Sequence, residues 1–74
     1  MMPKETQGDP VHELPTRLGQ VAAMISLGYS DKQIAQELGL SPHTVHRHVA
    51  RLLKRLGAEN RAAAAAIWAR MTMG

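Results

Sequence analysis

From Leu14 onward the apolar residues of this chain recur with helical spacing, in blocks separated by glycines and small polar residues. Leu14, Leu18, Val21, Ala22 and Ile25, with Met24 beside them, predict a first helix from about Thr16 to Leu27. Pro15 or Thr16 stands near its start, where proline is tolerated and threonine can cap. Gly19 inside it costs about 1 kcal/mol relative to alanine. Gly28 suits its C-terminus. A second helix, roughly Asp31 to Leu38, follows Ser30, and Gln33 completes a capping-box pattern; Ile34, Ala35 and Leu38 make its inner stripe. Ser41 and Pro42 then open a third helix ending before Gly57, with Val45, Val49, Leu52, Leu53 and Leu56 on one face. Asn60 caps a fourth, from about Arg61 to Met71, containing the alanine run 62–66. With no strand pattern and no repeat, the expected fold is all-α: a four-helix bundle containing a helix-turn-helix, without a wing.

Residues 1–13 lack any such period. They hold two prolines, a glycine and a net negative charge, with Lys4 against Glu5, Asp9 and Glu13. They read as a flexible N-terminal tail, and residues 14–74 as the domain. A chain of 74 residues has room for one small domain, which a packed second copy would help to stabilise. The start at Met1 is read as that of a complete small protein. With no cysteine, no signal peptide and no apolar run of membrane-spanning length, a cytoplasmic, nucleoid-associated protein is expected.

The segment 31–56 carries the chemistry. Ala35 is small where two helices must cross, Gly39 permits a sharp turn, and Leu40 plugs the core beneath it. No acid stands between Leu38 and Ala58, while Arg47, Arg51, Lys54, Arg55 and three histidines do. This gives direction to a modest formal charge of +3 and a pI near 10.0. A fifteen-residue helix is about 22 Å long and can cross a major groove roughly 12 Å wide. With Val45 and Leu52 buried, positions 43, 46, 47, 50, 51 and 54 point away from the core. His43, His46, Arg47 and Ala50 then face base edges. Arg47 is the candidate for a bidentate contact with guanine, and Ala50 for contact with a thymine methyl. Arg51, Lys54 and Arg55 are placed on phosphates, with Lys32 and Arg61 adding to them; Ser41 and Thr44, at the helix N-terminus, are phosphate contacts too, and Ser41 also caps the helix.

The stretch from Gly28 to Ala65 resembles the LuxR/GerE-type helix-turn-helix. Gly28, Ser30, Ile34, Ala35, Leu38, Leu40, Ser41, Thr44, Val45, His48, Leu52, Leu56, Gly57, Asn60 and Arg61 match the family pattern. The resemblance covers residues 14 to 71 and implies that His46, Arg47 and Ala50 read bases. It also implies a two-fold dimer through the fourth helix. Ala64, Trp68 and Met71 form one stripe of that helix and Ala63, Ile67 and Arg70 another; one should pack on the first helix and the other meet the partner. The stripe of Ala64, Trp68 and Met71 is taken as the contact, with Trp68 as an exposed or interfacial anchor. Two copies would read half-sites about one DNA turn apart. The chain departs from the family at its first helix, where Leu14, Pro15, Thr16, Arg17 and Leu18 replace Leu-Thr-x-Arg-Glu. Arg55 replaces the usual lysine.

No cofactor and no metal is expected. His43 and His46 share a face, but zinc needs further ligands and no cysteine supplies one. No carboxylate pair, nucleophile constellation or phosphate loop suggests an enzyme. The function expected is that of a sequence-specific, double-stranded DNA-binding transcriptional regulator acting as a homodimer, without a receiver or sensing domain. The competing reading is an interaction module that binds RNA polymerase, a sigma factor or another regulator without reading DNA. The acid-free third helix argues against it.

Overall fold

A computed structural model describes residues 14–73. The proposed tail, residues 1–13, lies outside the described residues, as does Gly74. Within them the chain forms α1 (Thr16–Ser26), α2 (Asp31–Leu38), α3 (Pro42–Leu56) and α4 (Arg61–Met73). No strand occurs among the described residues. The all-α architecture read from the sequence is the one observed, with α2 and α3 forming the helix-turn-helix.

Local chemistry accounts for most boundaries. At the start of α2 the Ser30 hydroxyl accepts the Gln33 N–H at 3.1 Å, and the Gln33 side chain accepts the Ser30 N–H at 2.9 Å. This is a reciprocal capping box. Gly39 ends α2 at φ 69° and ψ 35°, a left-handed conformation that a Cβ would disfavour. The reversal lets the Leu40 N–H reach the Ala35 carbonyl at 2.9 Å, closing the turn between the two helices. Asn60 caps α4 by accepting the Ala63 N–H at 2.8 Å.

α1 starts at Thr16 as expected, and the C-terminal ends of α1 and α4 differ from expectation. Pro15, not Thr16, is the N-cap of α1, and it makes no side-chain capping bond. Proline has no side-chain acceptor, and Thr16 already lies inside the first turn. The helix also stops at Ser26, with Leu27 as its C-cap. At the other end α4 continues past Met71 to Met73. Nothing there breaks it, and the Thr72 hydroxyl donates back to the Trp68 carbonyl at 2.9 Å.

The core lies where α1, α2 and α3 meet. Leu18, Val21, Ala22 and Ile25 come from α1, Ile34 and Ala35 from α2, and Val45, Val49 and Leu52 from α3. Ile34, Val21, Val45 and Leu52 are fully shielded from solvent. No polar or charged described residue is buried, so the interior is held by apolar packing. α1 packs on both α3 and α4, and α2 packs on α3. α3 also meets α4, so it is braced by all three other helices, while its face bearing His43, His46, Arg47 and Ala50 stays exposed among the described residues.

The fourth helix overturns one expectation. Ala64 was assigned to a partner-facing stripe, but it is only 1% exposed. Trp68 packs against the core, and Ala65 joins it. The side of α4 bearing Ala64 and Trp68 thus faces inward, toward α1, and neither residue is an exposed anchor. Met71 is partly exposed and stands outside the packed set. Ala63, Ile67 and Arg70 lie along the other stripe and are likewise outside that set.

Candidate nucleic-acid interface

The geometry of α3 follows from its sequence period. Val45, Val49 and Leu52 are buried, so the positions between them turn outward. His43, His46, Arg47, Ala50, Arg51, Lys54 and Arg55 are all exposed. The helix thus brings the four base-reading candidates and three of the phosphate candidates onto one accessible side. Lys32 is exposed on α2. His48 is half-buried, apart from the other two histidines of α3.

Ser41 and Thr44 form the N-terminal end of the site. The Ser41 hydroxyl accepts the Thr44 N–H at 3.1 Å and donates to the Thr44 hydroxyl at 3.0 Å. The Val45 N–H is taken by the Ser41 carbonyl at 3.0 Å. Pro42 has no N–H to offer. Among the bonds of the described residues, what remains at this helix end is the His43 N–H and the Thr44 O–H, at the positive pole of a fifteen-residue helix. Two donors on a positive helix end suit a phosphate oxygen. The three bases Arg51, Lys54 and Arg55 surround a shallow hollow floored by Leu18 of α1. Leu18 occupies the position where the family pattern carries glutamate. An apolar residue there adds no acid of α1 to this flank of α3.

Arg61 is placed differently from the other bases. Its guanidinium donates to Asp31 Oδ1 at 2.5 Å and to the Tyr29 carbonyl at 2.9 Å. Expected as a phosphate contact, it instead ties the first turn of α4 to the first turn of α2. Its charge is already matched by the carboxylate, and its donors are engaged at half-buried positions. Asp31 also approaches the exposed face of α3: its Oδ2 lies 3.8 Å from His46 Nδ1. Arg61 balances the charge of this acid. Sequence reasoning missed Asp31 altogether. Its only local signal is an acid in the first turn of a helix, a position favoured by the helix dipole in any case.

Among the described residues no group of three or more His, Cys, Asp or Glu side chains is placed to hold a metal. No helix among them is long and apolar enough to cross a membrane.

Comparison with known proteins follows the same lines. Residues 12–68 match the family described as bacterial regulatory proteins, luxR family (GerE). The chain is similar to the transcriptional regulatory protein UhpA of Salmonella typhimurium, at 53% identity over 47 residues, which is 64% of this chain and 24% of that protein. UhpA of Escherichia coli is 51% identical over 47 residues, again covering 64% of this chain and 24% of the relative. The probable transcriptional regulatory protein SgaR of Hyphomicrobium methylovorum is 37% identical over 59 residues, covering 80% of this chain and 28% of its own length. The chain thus spans about a quarter of the length of these relatives.

Proposed function

The chain belongs to the luxR family of bacterial regulatory proteins, and we propose that it regulates transcription by inserting α3 into the major groove of specific duplex sites. One observation carries this reading. α3 exposes His43, His46, Arg47, Ala50, Arg51 and Lys54 along a face that contains no acid, while its opposite face is locked into the core. Arg47 reads guanine through O6 and N7, and His46 and Ala50 read the neighbouring pairs. Arg51, Lys54, Lys32 and the His43 N–H hold phosphates. Arg55 acts on the same flank.

The protein works as a homodimer through α4, in keeping with the small binding surface of a single module. Since Ala64 and Trp68 are used inside the fold, the contact stripe is Ala63, Ile67 and Arg70, with Met71 at its margin.

Selection of duplexes from a random pool, followed by gel shift across a salt series, tests the proposal. The selected sites should contain a repeated half-site. Arg47→Ala should lose about 1–3 kcal/mol on the selected site and relax the choice at one base pair. Lys54→Ala should weaken all duplexes alike and reduce the salt slope by about one. A chain that retains no duplex above background at low salt would sink the proposal and leave a protein-only interaction module.

A further inference from the structure

We propose that Asp31 is a positioning residue for base recognition: it holds the Nδ1 edge of His46, so that a bare Nε2 faces the groove and selects an exocyclic amino group, cytosine N4 or adenine N6. The inference deepens the reading of α3 as a groove-binding helix and rests on it.

The carboxylate of Asp31 is anchored on one side. Oδ1 takes a bond from Arg61 Nη1 at 2.5 Å, and Arg61 is itself held by the Tyr29 carbonyl at 2.9 Å. That fixes the direction of Oδ2, which lies 3.8 Å from His46 Nδ1. The separation exceeds a hydrogen bond, so the ring has to turn toward the carboxylate to make one. The His46 side chain is 76% exposed, so little else restrains that rotation.

Chemistry decides which nitrogen carries the proton. An ionised carboxylate only accepts, and a neutral imidazole has one N–H and one lone pair. A lone pair on Nδ1 would meet the carboxylate oxygen with repulsion, whereas an N–H there meets it with attraction. The proton therefore sits on Nδ1, and Nε2 is left as an acceptor. In the major groove the donors available to it are the amino groups of cytosine and adenine; guanine offers O6 and N7, and thymine offers O4, all acceptors. Arg47, the next residue, has donors only. The two neighbours on α3 thus read opposite chemistries.

Long-range proton–nitrogen spectra of the histidine rings in the full, unbound chain test the first half, at about pH 8 where an ordinary imidazole is neutral. Wild type should show His46 protonated on Nδ1. Asp31→Ala should move it to the Nε2–H form that free imidazole side chains prefer, with His43 unchanged. An Nε2–H tautomer in wild type overturns the proposal even if the variant does not fold, and so does a tautomer that ignores the substitution. Duplex selection at the same pH tests the second half. Wild type should favour cytosine or adenine at one position of each half-site by about tenfold. His46→Ala and Asp31→Ala should both lose that preference and keep the guanine chosen by Arg47. Sites selected without it overturn this proposal alone. A chain that selects no duplex overturns the DNA-binding reading and this proposal together, while the spectra still report whether Asp31 orients the ring.

Discussion

Gly19 sits in the interior of α1 facing Trp68. A methyl group added there would lie 3.8 Å from Trp68 Cη2, an ordinary van der Waals contact. Gly19→Ala should therefore stabilise the domain by about 0.5–1 kcal/mol, by reducing the freedom of the unfolded chain and adding a helix former. Thermal unfolding followed by circular dichroism checks this; a lower melting temperature would mean that α1 and α4 cannot tolerate the methyl. Single residues were legible in the sequence where their role is local. Ser30 with Gln33, Ser41 with Thr44, and Gly39 each act within a few positions of themselves, so spacing alone announced them. Arg61 was not legible in this way. Its partner Asp31 lies thirty positions away, and only the fold brings the two together. Read alone, an arginine after an acid-free helix looks like one more phosphate contact.

Among the elements, α3 was the easiest to read and α4 the hardest. The large apolar residues of α3 lie buried or half-buried on one side, and its arginines and lysine are exposed on the other, so sequence period and burial agree there. In α4 the alanines run around the helix, and no polar face marks the side that meets solvent. Two of the three residues assigned to a partner, Ala64 and Trp68, consequently lie on the side that packs inward. The N-terminus of α3 offers a test that separates folding from binding. Ser41→Ala should cost about 1 kcal/mol of stability through the lost cap. Ser41→Asp keeps a capping acceptor and complements the helix dipole, so stability should be held or slightly raised. The added negative charge should nevertheless weaken binding to every duplex, because it stands where a phosphate is placed. Unfolding curves and gel shifts on the two variants check these outcomes; unchanged binding by Ser41→Asp would remove phosphate contact from this helix end.

At the level of the molecule, the core and the dimer surface make different demands on α4. Trp68→Ala should destabilise the monomer by about 2 kcal/mol or more, short of the roughly 3–5 kcal/mol of a fully buried aromatic. Ile67→Asp should leave the fold near wild type, at about the modest helix-propensity cost of aspartate, and should abolish self-association. Sedimentation and melting of the two variants distinguish the inward stripe from the outward one. A dimer that survives Ile67→Asp would place the contact elsewhere. The link between Arg61 and Asp31 has a wider consequence. It bolts the first turn of the proposed pairing helix to the element that supports the reading helix. A pair of such chains would behave as a rigid caliper rather than as two heads on a leash. Inserting one base pair between the half-operators displaces them by about 3.4 Å and rotates them by about 35°. The jaws could not follow, and occupancy should drop to that of a single head on a half-operator.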